Sequence, residues 1–108
     1  MTTALSAAGW TLEHARSTPD APAVAGPAGR LSYRELARAV ASLAGDLRAA
    51  GFGPGCRLVV SLPAGPPAVV AMLAAQLAGG AAAPIDRELG AAALRSVLAQ
   101  TRARHAVL

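Results

Sequence analysis

The sequence predicts an α/β fold, a partial parallel-sheet βαβαβ unit with flanking helices, and three observations predict it. Over residues 57–108 short apolar runs alternate with stretches of helical periodicity, in the order strand–helix–strand–helix–strand. That order implies parallel strands joined by right-handed crossovers. Ahead of it, Leu31–Gly51 encodes an amphipathic helix together with both of its ends. From Leu58 to Ile85 there is no charged residue, the pattern of elements buried on both faces.

Taken in order, residues 1–9 are small and polar and are expected to be flexible, leaving 10–108 as one domain. Trp10–Arg16 suits a short helix with Thr11 as its cap. Ser17–Pro22 holds two prolines and Asp20, which bar a helix and make a turn. Ala23–Ala25 and Arg30–Ser32 flank Gly-Pro-Ala-Gly and read as a short hairpin.

The main helix follows. Leu36, Val40, Leu43 and Leu47 recur at spacings of four, three and four, one helical stripe, while Arg34, Arg38, Asp46 and Arg48 lie largely off it. Ser32 with Glu35 spells a capping box, and Leu31 with Leu36 a hydrophobic staple. Gly51 is placed to end the helix in the left-handed conformation. Gly51-Phe52-Gly53-Pro54-Gly55 then turns the chain into a buried strand at Arg57–Leu62. Pro63–Pro67 makes a loop whose last proline fits a first helical turn. Ala68–Ala78 is a helix apolar nearly all round, expected to be covered on both sides. Gly79 and Gly80 stop it before a strand at Ala81–Ile85 that ends at Asp86. Gly90–Gln100 carries Leu94, Val97 and Leu98 at helical spacing, and Arg104–Leu108 is the last strand.

Composition narrows the function. All ten cationic residues are Arg, giving a net charge of +4, but they are scattered from Arg16 to Arg104. Trp10, Tyr33 and Phe52 are the only aromatics. No basic patch is interleaved with aromatic rings, so no nucleic-acid partner is expected. The uncharged span is cut by Pro63, Gly65, Pro66, Pro67, Gly79, Gly80 and Pro84 into pieces too short to cross a bilayer. No basic segment of a signal peptide opens the chain, so the expected location is cytoplasmic. A lone Cys56 excludes an internal disulfide.

The ordered elements resemble the N-terminal part of the adenylate-forming (AMP-binding, AMP-dependent synthetase/ligase) superfamily: nonribosomal peptide synthetase adenylation domains, acyl-CoA synthetases and luciferases. TPDAPAV (Thr18–Val24) resembles the entry segment of adenylation domains, and LSYREL (Leu31–Leu36) their first core motif. AAGFGPGCRLVVSLP (Ala49–Pro63) resembles the turn and strand that follow. LAGGAAAPID (Leu77–Asp86) resembles the second core motif, and Pro84-Ile85-Asp86 keeps the wording of the peptide synthetases. The sequence departs from that pattern at Cys56, Ala82, Ala83, Arg87 and Ala93, where Asp, an aromatic, Val, Pro and Arg are usual.

The resemblance implies a truncated N-terminal part of the large domain of an enzyme that makes an acyl-AMP and pyrophosphate from an acid and ATP. It implies ATP and Mg in full-length members. Their phosphate-binding loop with its Lys, aromatic-Gly-x-Thr-Glu segment, ribose-binding Asp and catalytic Lys all lie beyond the region matched here. No cofactor is therefore expected for these residues alone, and the expected partners are the remainder of a synthetase or a second copy. A fragment of an acyl-CoA ligase and a non-catalytic docking module are the alternatives.

No catalytic, cofactor-binding or metal-binding residue is assigned. Gly51-x-Gly53-x-Gly55 follows a helix and precedes a strand, the reverse of a phosphate cradle. His14 and His105 fit no metal-ligand spacing. Ser32, Ser61 and Ser96 lack the nucleophile elbow. Asp86 stands at a strand's carboxyl end, where open α/β sheets gather ligands, although capping the next turn is its simpler role. Cys56, with only Arg57 beside it in sequence, reads as a small turn residue.

Overall fold

The computed structural model describes residues 7–27, 29–86, 88 and 90–108. It contains helix α1 (Ala7–Ser17), strands β1 (Pro22–Gly26) and β2 (Gly29–Ser32), helix α2 (Tyr33–Ala49), strand β3 (Arg57–Val60), helix α3 (Pro66–Leu77), strand β4 (Ala81–Pro84), helix α4 (Ala91–Thr101) and strand β5 (His105–Val107). β1 and β2 form an antiparallel hairpin, with a register shift between Pro22 and Val24. The other three strands form a parallel sheet in the order β4-β3-β5. This is the α/β arrangement expected from the alternation of elements.

α1 starts at Ala7, earlier than the sequence reading allows, and Ala8 and Thr11 are buried. Thr11 is therefore not its cap: its hydroxyl donates to the Ala7 carbonyl one turn back, at 2.9 Å. The Ala8 amide donates to Gln76 Oε1 at 3.2 Å and ties α1 to α3. The expected flexibility of residues 1–6 lies outside the described residues.

α2 begins as its sequence dictates. Ser32 Oγ accepts from the Glu35 amide at 3.2 Å, and Glu35 Oε1 accepts from the Ser32 amide at 2.9 Å. Donation from the Ser32 amide and then its hydroxyl's pull hold the Glu35 carboxyl below its ordinary value. Because the folded-state value is the lower one, the support this box gives is complete at neutral pH. It is lost as pH falls from the ordinary carboxylate range through the lowered value. The helix ends in a Schellman motif, with Gly51 at φ +90°. There the Gly51 amide donates to the Arg48 carbonyl (3.0 Å) and the Phe52 amide to the Leu47 carbonyl (2.9 Å).

The buried face of α2 differs from the expected stripe at one position. Leu36, Val40 and Leu47 are buried, but the fourth member is Ala44, fully enclosed, and Leu43 is only half-buried on the flank. The reason is the neighbour. α3 presents Ala71, Ala74, Ala75 and Ala78 as its buried face, and small residues on both helices let the backbones approach closely.

α3 carries Pro66 and Pro67 in its first turn. The expectation that it is covered on both sides is not met: Met72 is exposed, and Val69, Val70, Leu73 and Leu77 are only half-buried. Neighbouring strands and helices cover one side of α3 and leave part of the other open. It closes in the same way as α2, with Gly79 at φ +95°. The Gly79 amide donates to the Gln76 carbonyl and the Gly80 amide to the Ala75 carbonyl, both at 3.0 Å. Arg48 Nη2 donates to the Leu77 carbonyl, a cation at a helix C-terminus.

The central strand is the most enclosed element. Leu58, Val59 and Val60 are all buried. Leu58 and Val60 join the core of α2 and α3, whereas Val59, by the alternation of the strand, points to the opposite face. α4 buries no residue fully and keeps Leu94, Val97 and Leu98 half-buried. It ends on Arg102 at φ 54°, ψ 30°, a left-handed position without glycine, which costs about 1 kcal/mol.

Candidate functional site

The parallel sheet has two ends, and each carries a cleft. At the carboxyl ends of β3 and β4, Ser61, Pro63, Ile85, Asp86, Leu94 and Leu108 border a cleft of about 380 Å³. This is the end where ligands of open α/β sheets collect. Asp86 does what its simpler reading requires: its Oδ1 accepts from the Glu88 amide at 2.9 Å and closes the turn after β4. Arg87, one of the departures from the family pattern, lies outside the described residues.

Ser61 donates its amide to the Val107 carbonyl at 2.9 Å, and among the described residues no imidazole borders the cleft beside it. His14 sits on α1, its Nδ1 2.9 Å from the Trp10 carbonyl and its ring stacked between Trp10 and Tyr33. His105 is at the opposite end of the sheet, its Nε2 donating to the Ala50 carbonyl at 3.1 Å. Ser32 is a helix cap, and Ser96 is exposed on α4. No group of three His, Cys, Asp or Glu able to hold a metal occurs among the described residues.

A strand-to-helix turn, the place of a phosphate cradle, does occur at this end, between β3 and α3. The chemistry is missing from it. Two of the first-turn positions that would offer free amides to a phosphate are Pro66 and Pro67, which have no N–H. The chain has no lysine to neutralise a triphosphate.

At the amino ends of the strands a second cleft, of about 500 Å³, is bordered by Gly51, Cys56, Arg57, Arg102, Arg104 and His105. The Gly51–Gly55 segment is a turn, as expected, with the Cys56 amide donating to the Gly53 carbonyl at 3.0 Å. The convergence of arginines on this cleft was not readable from the sequence, because Arg102 and Arg104 come to it only through the crossover of α4. A third hollow, of about 470 Å³, is almost wholly apolar and lies where Leu31, Leu43, Leu62, Val70 and Val107 meet. No helix among the described residues is long and apolar enough to cross a membrane.

Comparison with known proteins bears on the whole of this frame. Residues 12–108 match the family model described as AMP-binding enzyme. The chain is 38% identical over 94 residues to a feruloyl-CoA synthase of Amycolatopsis sp., covering 87% of this chain and 19% of that protein. It is 40% identical over 74 residues to the pyochelin synthetase PchF of Pseudomonas aeruginosa, covering 68% of this chain and 4% of that protein. Among solved structures, VinN in complex with L-aspartate superposes with a TM-score of 0.87 at 25% identity, over 94% of this chain and 28% of VinN. The peptide synthetase FmoA3, bound to α-methyl-L-serine-AMP, gives 0.81 at 34% identity, over 86% of this chain and 10% of FmoA3. The chain thus spans about a fifth of the feruloyl-CoA synthase and less of the peptide synthetases.

Proposed function

The chain belongs to the AMP-binding enzyme family, and from that premise we propose that it is the opening scaffold of a ligase that joins a carboxylic acid to AMP. The acid is an amino acid, as in the nonribosomal peptide synthetases of secondary metabolism; an acyl-CoA ligase scaffold is the alternative. Pro84-Ile85-Asp86 and the peptide-synthetase relatives support the first reading, and the feruloyl-CoA synthase supports the second. Its place is the cytoplasm, where ATP is abundant.

One observation carries the scaffold role. The frame of the family is present over residues 12–108, and its ligand-facing end carries two prolines and a turn-capping carboxylate. Positioning supplies most of the rate in phosphoryl-group chemistry, so these 108 residues alone give no turnover. Pyrophosphate release with Mg·ATP across a panel of amino and aryl acids is expected to stay at the blank. Acid-dependent release above it would show that the chain is an enzyme by itself.

The apolar hollow between Leu31, Leu43 and Val107 favours a second role, docking on the rest of a synthetase or on a like chain. Exposed apolar concavity of this kind binds hydrophobic dyes. Size-exclusion with light scattering should show self-association, or else a monomer that enhances ANS fluorescence. A monomer silent toward ANS would exclude docking through this surface.

A further inference from the structure

We propose that the cleft at the amino ends of the strands binds a small phosphate monoester, at a site separate from the carboxyl-end cleft. Two features point there. Arg57 from β3, Arg102 from the end of α4 and Arg104 ahead of β5 converge on it, and no carboxylate among the described residues borders it. Two helices end at this cleft with their carbonyls, each equivalent to about half a negative charge. Those ends already have their cations or donors: Arg57 Nη1 donates to the Thr101 carbonyl at 3.4 Å, and His105 Nε2 to the Ala50 carbonyl at 3.1 Å. Arg102 and Arg104 are in surplus of that need, and the three guanidinium charges outweigh the two helix ends.

The second feature is backbone strain. Arg102 occupies the left-handed position that Gly51 and Gly79 take at the ends of α2 and α3. A glycine would sit there without strain but would remove a guanidinium from the cleft, and strained positions of this kind cluster at ligand-binding sites. A phosphate's oxygens would accept from the guanidiniums in the forked geometry arginine favours. The volume of about 500 Å³ exceeds what a bare phosphate fills, and Ala50 and Gly51 supply a wall for the ester's organic part.

The test is a titration at low ionic strength, followed by the His105 ring resonance and by phosphorus NMR, with inorganic phosphate and phenyl phosphate as the probes. Both are expected to saturate, phenyl phosphate with a Kd of about 1 mM and severalfold tighter than inorganic phosphate. Arg104→Gln should weaken both at least fivefold, roughly one lost charge-assisted contact, and Arg38→Gln, on the outer face of α2, should leave both unchanged. Arg102→Gly should weaken binding while raising Tm by about 4 °C, so its loss of affinity cannot be loss of fold. No saturation by either probe, or equal weakening by Arg38→Gln, overturns the site. Equal affinity for the two probes overturns the ester assignment.

Discussion

Gly80→Ala is expected to destabilise the fold by about 3 kcal/mol, the upper part of the range for overpacking a core. A Cβ at this position would lie 2.5 Å from Phe52 Cε1 and Cζ and 2.8 Å from the Cys56 carbonyl oxygen. Neither neighbour can retreat freely. The Phe52 ring is buried and meets His105 edge-on at 5.3 Å. The Cys56 carbonyl accepts from the Ala81 amide at 3.0 Å, the bond that opens the β3–β4 pairing. Gly53 is the control, because no described atom beyond its chain neighbours lies within 4 Å of a methyl added there and its φ is not positive. Urea melts should show a large drop in midpoint for Gly80→Ala and little change for Gly53→Ala. Phe52→Leu should recover part of the loss in the double variant, since the two sites share one contact. Equal midpoints for the two glycine variants would show that Phe52 does not crowd Gly80.

Leu58→Ala carries the second large effect, about 3–5 kcal/mol. Leu58 is 1% exposed in the central strand and joins the core that α2 and α3 form, so truncation leaves a cavity that neighbours on two helices cannot fill. Leu43→Ala removes the same atoms from a half-buried site at the rim of the apolar hollow, and about 1 kcal/mol is expected there. Thermal melts of the two variants decide between the stripe read from the sequence, in which Leu43 is central, and the packing observed, in which Ala44 is. A loss for Leu43→Ala as large as that for Leu58→Ala would favour the former.

Particular residues show why some of this was legible in sequence and some was not. Ser32, Glu35 and Gly51 act through bonds within a few residues of themselves, so their pattern named the ends of α2 directly. The alternation over 57–108 named the parallel sheet for the same reason: each element declares its own period. Ala44 was invisible as core, because alanine is weakly apolar and its burial depends on how closely another helix comes. Gly80 reads as a helix stop; its stricter demand, room for Phe52, arises from a contact 28 positions away. At the candidate sites the turn at Gly51–Gly55 and the turn-capping by Asp86 rested on local context, and both bonds are present. The arginine cleft needed the crossover that brings Arg104 beside Arg57, and no local spacing encodes that.

We propose that this chain carries the frame of an adenylating ligase and has no ATP site of its own. Isothermal titration with Mg·ATP at physiological salt tests it most directly. At that salt, attraction by arginines is screened beyond about 8 Å, so only a built triphosphate site saturates at micromolar ATP. Heats of dilution and no saturation at micromolar ATP are the predicted result. Saturable binding in that range, with a stoichiometry near one, would contradict the claim.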